Sequence, residues 1–482
     1  MLLQCCRTSV VKTTKSLSPC LFSILSIESK YSKIWFFREF SGRGLVSASS
    51  ALYDLQVMNT NTDELLNQHY ARLLGLGEEW KVRDVSLDLE GGRVDIYLEY
   101  AEKAAICPRC GALCGLHDSQ PERTWRHLDT MQFVTLIHAR TPRVRCPGHG
   151  VQVIELPWAE KHGRFTLLFE SVAIEVLRRA RNLSDACKLL RLSWDQVQPI
   201  MARAVARGLE RRGEDEIAYL GLDEKSFLAG RDSDAFASIM TDLDGSRVLE
   251  VARGRSEEVA GELIEKALTP RQREMVCGVA IDMSAPYAKA IGEKLPDADI
   301  VYDRFHVQKQ LNEAVDAVRR QENARLLKAK DRRLAKTKYL WLAGLEHLSD
   351  EAVARREDLL RMSLSTGKAW GLKEMFSCFW RSSDKDFAAA NFDFWHAQVL
   401  RSGLRPMIKA ATLKRHLGGL LAWFDCRIDN AMSEGYNSVI QALKSAARGF
   451  RNFDNFRIAI LFHCGKLDMQ PDLVRVGSSL PT

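Results

Sequence analysis

Two pentapeptides constrain this chain more tightly than any other stretch: Cys107-Pro-Arg-Cys-Gly111 and Cys146-Pro-Gly-His-Gly150. Both have the form C-P-x-[C/H]-G. Two ligands three positions apart on a tight turn can grip one face of a metal ion, and the glycine lets the chain turn back. Two such knuckles supply Cys107, Cys110, Cys146 and His149, the four soft ligands of a closed tetrahedral zinc site. With no coordination position left open, such a zinc is structural. Cys110 and Cys146 lie 36 positions apart, so the intervening strands must bring the knuckles together. Cys114 and His117 compete for the same role. The twelve cysteines of this 482-residue chain, with no convincing signal peptide, point to metal binding and reduced thiols, not to a disulfide framework. Upstream, Val85–Tyr100 alternates in polarity around Gly91–Gly92 and reads as a hairpin.

The length calls for two to four domains. A net charge of +7 leans weakly toward polyanionic partners. No apolar run approaches the roughly 18 residues of a membrane span, and the expected location is cytoplasmic and nucleoid-associated. Residues 1–57 are Ser-rich, with no acid before Glu28. A transit peptide shares that composition, but a disordered or wrongly annotated extension explains it as well. Met58 then reads as a plausible native start. Thr62 or Asp63 would cap a helix whose apolar positions are Leu65, Leu66, Leu73 and Leu74.

At residue 166 the period changes. Leu167, Leu168, Val172, Val176 and Leu177 form a helical apolar stripe. Asn182 or Ser184 caps a short helix, and Trp194 opens another, although Pro199 would move its start to that residue or beyond. Two short helices, a tight turn and a basic second helix suggest a helix-turn-helix. Arg203, Arg207, Arg211 and Arg212 would share a face and meet DNA phosphates.

Residues 216–306 alternate between strands and helices. The apolar run Ile217–Leu222 ends in Asp223, and a second buried strand, Met275–Ile281, ends in Asp282. A third strand ends in Asp303, three residues before His306. After the first strand, Ala235–Asp244 and Ser246–Gly254 complete a three-strand meander. Three antiparallel strands, a helix, a strand, a helix and a strand is the order of a ribonuclease H-like fold, in which Asp223 and Asp282 come close. Residues 307–429 read as helical and are rich in Lys, Arg, Trp and Phe, suiting either a nucleic-acid surface or a solvated face over an aromatic core. A later helix aligns Glu434, Asn437, Gln441, Lys444 and Arg448 along one stripe, ahead of a segment mixing Arg448, Arg451 and Arg457 with Phe450, Phe453 and Phe456.

In combination, these stretches resemble the DDE transposases of bacterial insertion sequences, specifically the ISL-three family. CPRCG, RVRCPGHGV, PWAEKHGRFTLLFE, GLDEKSF, VAIDMSAPYAKAI, DRFHVQKQLNEAVD, KYLWL and SEGYNSVIQALKSAARGFRNFDNFRIAILFHCG match in the family's order across most of residues 58–466. The loop LAGRDSDAF departs from the family pattern, which has a shorter segment bearing Tyr or His. The resemblance implies a catalytic triad of Asp223, Asp282 and Glu434 that holds two Mg²⁺ or Mn²⁺ ions. It implies duplex DNA as partner, both terminal inverted repeats and target, with Lys444, Arg448 and Arg451 as further contacts. Asp303, His306 and Asn437 would support the site, and a homodimer or higher assembly would pair the element ends.

The expected organisation is a multidomain α+β and α/β chain. Residues 58–160 form a zinc ribbon and 161–213 a helix-turn-helix. Residues 214–306 and 430–482 form a ribonuclease H-like catalytic domain, interrupted by an all-helical insertion over 307–429. Two other functions compete with that of a transposase. One is a non-catalytic zinc and helix-turn-helix DNA-binding regulator derived from such an enzyme. The other is a structure-specific nuclease of the same fold.

Overall fold

The computed structural model describes residues 63–473, apart from 181, 229, 231, 345, 346, 429 and 430, and gives the backbone but not the side chains of 431, 432 and 434. It also gives the backbone of two antiparallel strands, β1 (Ser23–Ser29) and β2 (Ser32–Arg38). The extension over residues 1–57, the start at Met58 and the Thr62 cap otherwise lie outside the described residues. The described chain divides into two compact units, one reaching Ile154 and the other covering residues 125–129 and 155–476.

In the first unit, helix α1 spans residues 63–73. Its leucines do not form the expected buried stripe: Leu74 is buried, whereas Leu65, Leu66 and Leu73 are exposed. Strands β3 (Trp80–Asp88) and β4 (Arg93–Tyr100) form the predicted hairpin, with Gly92 at φ 62° in the turn. After β7 (Arg123–Thr130), strand β8 (Phe133–Ala139) pairs parallel with β4. A second sheet has the order β10-β9-β6-β5, from β5 (Ala104–Ile106), β6 (Leu113–Ser119), β9 (Pro142–Cys146) and β10 (Gly150–Val153).

The second unit begins with α2 (Leu167–Arg179), α3 (Leu183–Leu190) and α4 (Trp194–Glu210). Each N-terminus is capped by a short polar side chain. Thr166 caps α2, Asn182 caps α3, and Ser193 forms a capping box with Gln196 on α4. Arg191 turns the chain in the left-handed conformation between α3 and α4. The cap overrides Pro199, so α4 starts at Trp194 and carries the proline inside. Of the α2 stripe, Val172 is exposed. The buried face is Phe169, Glu170, Ala173, Ile174 and Leu177.

Next comes a mixed five-stranded sheet of order β13-β12-β11-β14-β15. Its strands are β11 (Tyr219–Ser226), β12 (Phe236–Asp242), β13 (Arg247–Arg253), β14 (Gly278–Ile281) and β15 (Asp299–Tyr302). The first three are antiparallel, and β11, β14 and β15 run parallel. Helices α5 (Glu257–Ala267), α6 (Pro270–Met275) and α7 (Ala285–Lys294) connect them. Leu220, Leu222, Ile264, Ile281 and Ile291 form the core between sheet and helices.

From α8 (Arg304–Lys328) the chain is helical: α9 (Lys338–Leu342), α10 (Asp350–Leu360), α11 (Ser365–Trp380), α12 (Lys385–Ser402), α13 (Arg405–Ala410), α14 (Leu417–Leu421) and α15 (Trp423–Cys426). Trp341, Phe376, Phe379, Phe392 and Trp395 fill a core of their own. These aromatics, including Phe376, Phe379 and Trp380, are therefore interior residues and not a nucleic-acid surface. Helices α16 (Ala431–Ala446) and α17 (Phe453–Cys464) return to the sheet, where Phe456 and Ile460 share a core with Ile174, Ile200 and Val251. The helices of residues 161–213 thus pack into one core with α17 and the sheet edge. No helix among the described residues is long and apolar enough to cross a membrane.

Candidate functional site

The first unit brings its two knuckles together because β6 pairs antiparallel with β9. One knuckle closes with Gly111 N–H donating to Cys107 O at 2.9 Å, and the glycines Gly111 and Gly150 hold φ of 71° and 67°. The ligand atoms of Cys107, Cys110, Cys146 and His149 all lie within 4.8 Å of one another. Cys110 Sγ is 3.6 Å from Cys146 Sγ, and His149 Nδ1 is 3.6 Å from Cys146 Sγ and 4.0 Å from Cys107 Sγ. A tetrahedral zinc with Zn–S bonds of about 2.3 Å would set S···S edges of about 3.8 Å, so the donor set fits zinc in both chemistry and spacing. Burial opposes ionisation of Cys146, but the amide N–H groups of Gly148 and His149 and the neighbouring thiols outweigh it, bringing that thiol down to about 7. The competitors are not among these four ligands, although the Cys114 thiol borders Cys146. Cys114 Sγ points at Ala112 O at 3.5 Å, and His117 Nδ1 meets Arg145 at 3.2 Å.

In the second unit, β11 and β14 are adjacent and in parallel register, with Leu222 beside Ile281. The next residue on each is an acid, so Asp223 and Asp282 emerge side by side at the carboxyl end of the sheet. Asp223 is buried; its Oδ1 accepts the Glu224 N–H at 2.7 Å and its Oδ2 accepts Asn437 Nδ2 at 2.6 Å. Desolvation raises its pKa in spite of both hydrogen bonds. Burial likewise raises that of Asp282, reinforced by the charges of Glu224 and Asp223 and opposed by His306. Asp282 Oδ1 is buried and has no hydrogen-bond partner among the described residues. An orphaned carboxylate oxygen beside a second desolvated carboxylate could hold a cation, and oxygen donors suit Mg²⁺ or Mn²⁺.

Asp303, at the end of β15, is buried and caps α8 by accepting the Phe305 N–H at 3.2 Å. Its Oδ2 lies 2.9 Å from His306 Nδ1. That hydrogen bond raises the pKa of His306, and the charges of Asp282 and Asp223 add to the effect. Asp303 and His306 thus border the two acids. Glu434 lies in the first turns of α16, but its side chain is outside the described residues. Three residues on, Asn437 ties the same helix to Asp223, and Lys444 Nζ donates to Ser226 O at 2.9 Å. Sequence reasoning left Glu224 unassigned; it pairs with Arg255 at 3.3 Å. Its position one residue beyond Asp223 on a strand that ends at the site was the available signal.

The basic face of α4 is engaged internally, contrary to the sequence expectation for Arg203 and Arg207. Arg203 Nη2 donates to Glu170 at 2.7 Å. Arg207 donates to Glu160 at 2.6 Å, to Glu170 at 3.0 Å and to the Met469 carbonyl. Arg211 meets Asp468 and Asp472, and Arg212 meets the Leu249 carbonyl. Glu170 is buried on α2 and requires cationic partners, which α4 supplies. Arg448 and Arg451 are exposed beyond α16.

Three family models match the chain in sequence order. Residues 103–149 match a zinc finger of the transposases IS204, IS1001, IS1096 and IS1165, and residues 154–205 match the helix-turn-helix domain of transposase family ISL3. Residues 220–460, half of the chain, match a transposase model of the same family. The chain is 27% identical over 402 residues to the transposase for insertion sequence element IS1001 of Bordetella parapertussis, covering 82% of this chain and 98% of that protein. It is 26% identical over 416 residues to the transposase for insertion sequence element IS1557 of Mycobacterium tuberculosis, covering 80% and 92%.

Proposed function

The chain belongs to the ISL3 family of DDE transposases, and from that membership we propose that it binds the terminal inverted repeats of an insertion sequence and cuts and joins DNA strands at Asp223, Asp282 and Glu434. The observation that carries this reading is the parallel pairing of β11 with β14, which sets Asp223 beside an Asp282 whose Oδ1 has no protein partner. We read the five-stranded sheet as ribonuclease H-like, interrupted by the helices from α8 to α15. Functionally, residues 58–160 are the zinc ribbon, 161–213 the helix-turn-helix, and 214–306 with 430–482 the catalytic core.

Asp223, Asp282 and Glu434 would hold two divalent ions. Bound there, these supply activation of the attacking water or 3′-hydroxyl and stabilisation of the leaving oxygen. Asn437 holds Asp223 and sets the helix bearing Glu434 against it. Asp303 would fix the ring of His306 through Nδ1, with the charges of Asp282 and Asp223 acting on the same ring. Zinc at Cys107, Cys110, Cys146 and His149 would hold the ribbon folded. Arg448 and Arg451 are the remaining candidates for backbone contacts near the catalytic end, and pairing of two ends calls for a dimer or higher assembly.

The test is Mg²⁺-dependent nicking of a duplex bearing the element's own terminus. Asp282→Asn should abolish nicking and leave end binding within about twofold of the wild type; undiminished nicking overturns the triad. A wild type that binds ends without ever nicking them is a DNA-binding regulator. One that nicks without preference for ends is a nuclease.

A further inference from the structure

The cations that usually mark a DNA-binding face are unevenly engaged in this protein. Those of α4 point inward onto Glu160, Glu170, Asp468 and Asp472. Residues 325–338, RLLKAKDRRLAKTK, are different. They carry seven cations against the single acid Asp331, an excess that nearly equals the +7 of the whole chain. All seven are exposed. Arg325 pairs with Glu322 and Arg333 with Asp331, whereas Lys328, Lys330, Arg332, Lys336 and Lys338 have no acidic partner among the described residues.

An exposed charge run is often only a solvated face, but this one stands on a fixed frame. Leu334, Thr337 and Trp341 are fully buried beneath it. Trp341 Nε1–H donates to Thr337 Oγ1 at 3.3 Å, and Thr337 Oγ1–H donates to the Leu334 carbonyl at 2.7 Å. Lys330 and Lys336 sit at φ 60° and 59°. Lysine rarely adopts that left-handed conformation unless the surrounding structure imposes it. The turn therefore fixes the backbone positions from which its cationic side chains extend.

Its distance from the acids is also set. Helix α8 starts at Asp303 and His306, beside Asp223 and Asp282, and its 25 residues run to Lys328. At 1.5 Å per residue that is about 38 Å, close to one turn of B-form DNA. We propose that the turn Lys328–Lys338 grips the phosphate backbone of the terminal duplex about one helical turn from the phosphodiester held at the acids. The placement of the scissile bond rests on the catalytic reading above; the affinity for duplex DNA does not.

The test compares the full-length wild type with a variant carrying Lys328→Gln, Lys330→Asn, Arg332→Gln, Lys336→Asn and Lys338→Gln. Asparagine tolerates the left-handed backbone, and equal thermal midpoints show that the frame survives. Affinities for a 40-base-pair duplex bearing the element's terminus, and for an unrelated duplex, are measured against salt concentration. The slope of log affinity against log salt should fall by about 3 to 4 on both duplexes. Affinity for the terminus should drop at least about 100-fold at 150 mM salt. Hydroxyl-radical protection should vanish about 10 base pairs from the nick. An unchanged slope with a folded variant overturns the proposal and leaves the surface to a protein partner or a second copy. A reduced slope with protection lost elsewhere keeps the DNA contact and rejects its position. A wild type that fails to nick rejects the catalytic reading alone, since the slopes are measured without cleavage.

Discussion

Replacement of Arg207 by methionine separates a structural role for α4 from a role in DNA binding. The guanidinium of Arg207 is 11% exposed and the Glu170 carboxylate 3%. Removing one partner of a buried pair leaves an uncompensated charge and costs about 3–5 kcal/mol. Here Glu170 retains Arg203 at 2.7 Å, while Glu160 and the Met469 carbonyl lose their donor. The cost should therefore lie near the lower end, about 3 kcal/mol. Hydrogen exchange of the α4 amides then quickens by about 100-fold, at roughly 1.4 kcal/mol per factor of ten. Adding Glu170→Met should cost less than the two single changes summed, by about 1–3 kcal/mol, because the second change removes the charge left stranded by the first. The salt dependence of end binding should keep its slope. Unaltered exchange, together with a slope reduced by about 0.9, the value of one phosphate contact, would show that Arg207 faces DNA after all.

Metal analysis of the purified protein should find one zinc per chain, lost in Cys107→Ser together with the near-ultraviolet signal of the ribbon; a wild type free of zinc rejects the site. Glu250 accepts two hydrogen bonds from Arg457 at 2.6 Å and lies 3.2 Å from Lys266. Burial opposes its charge, but these partners prevail and its pKa falls below the ordinary 4.5. A depressed folded value stabilises the protein above pH about 4.5 and loses that contribution as the pH falls through the folded value. Between pH 6 and 3, the protection factors of the α17 amides should therefore fall more steeply in the wild type than in Glu250→Gln, and parallel curves refute the linkage. In the helical region, Glu322 is buried and accepts the N–H groups of Ser365 and Thr366 and the Thr366 hydroxyl at 2.7–3.0 Å, serving as the N-terminal cap that Leu364 cannot provide. Glu322→Ala strands three donors and should cost about 3–4 kcal/mol, and Glu322→Gln about 1–2; urea midpoints that do not move exclude the cap.

The residues whose placement is set locally are the legible ones. The knuckles carry ligand identity and turn glycines within five residues each, and Asp223 and Asp282 each follow an apolar run that had to be a buried strand. Pairing between distant segments was less legible. Arg203 and Arg207 looked like phosphate contacts because their partners, Glu160 and Glu170, precede them by more than thirty positions. Glu170 nonetheless shares the helical face of Ala173, Ile174 and Leu177, and a carboxylate on a buried face demands a cation. The leucines of α1 show the opposite failure, since apolar spacing alone does not say what covers it. For the aromatics of residues 341–395 the sequence leaves a surface and a core equally open, and the core reading holds because rings of that size go inside whenever a core can form.

The segment just after α17 lies across α4. Arg207 and Arg211 donate to the carbonyls of Met469 and Gln470, Ser171 and Glu175 bond to the Gln470 side chain, and a Cβ on Gly208 would stand only 2.6 Å from that of Leu467. Arg211 and Asp468 are separated by 257 positions. At about 5–20 residues per second of synthesis, roughly 13–50 s pass between the emergence of the first and that of the second. Through that interval the helix-turn-helix lacks one wall of its core. A ribosome-bound or prematurely terminated chain therefore carries α2 and α4 without the segment that closes their core.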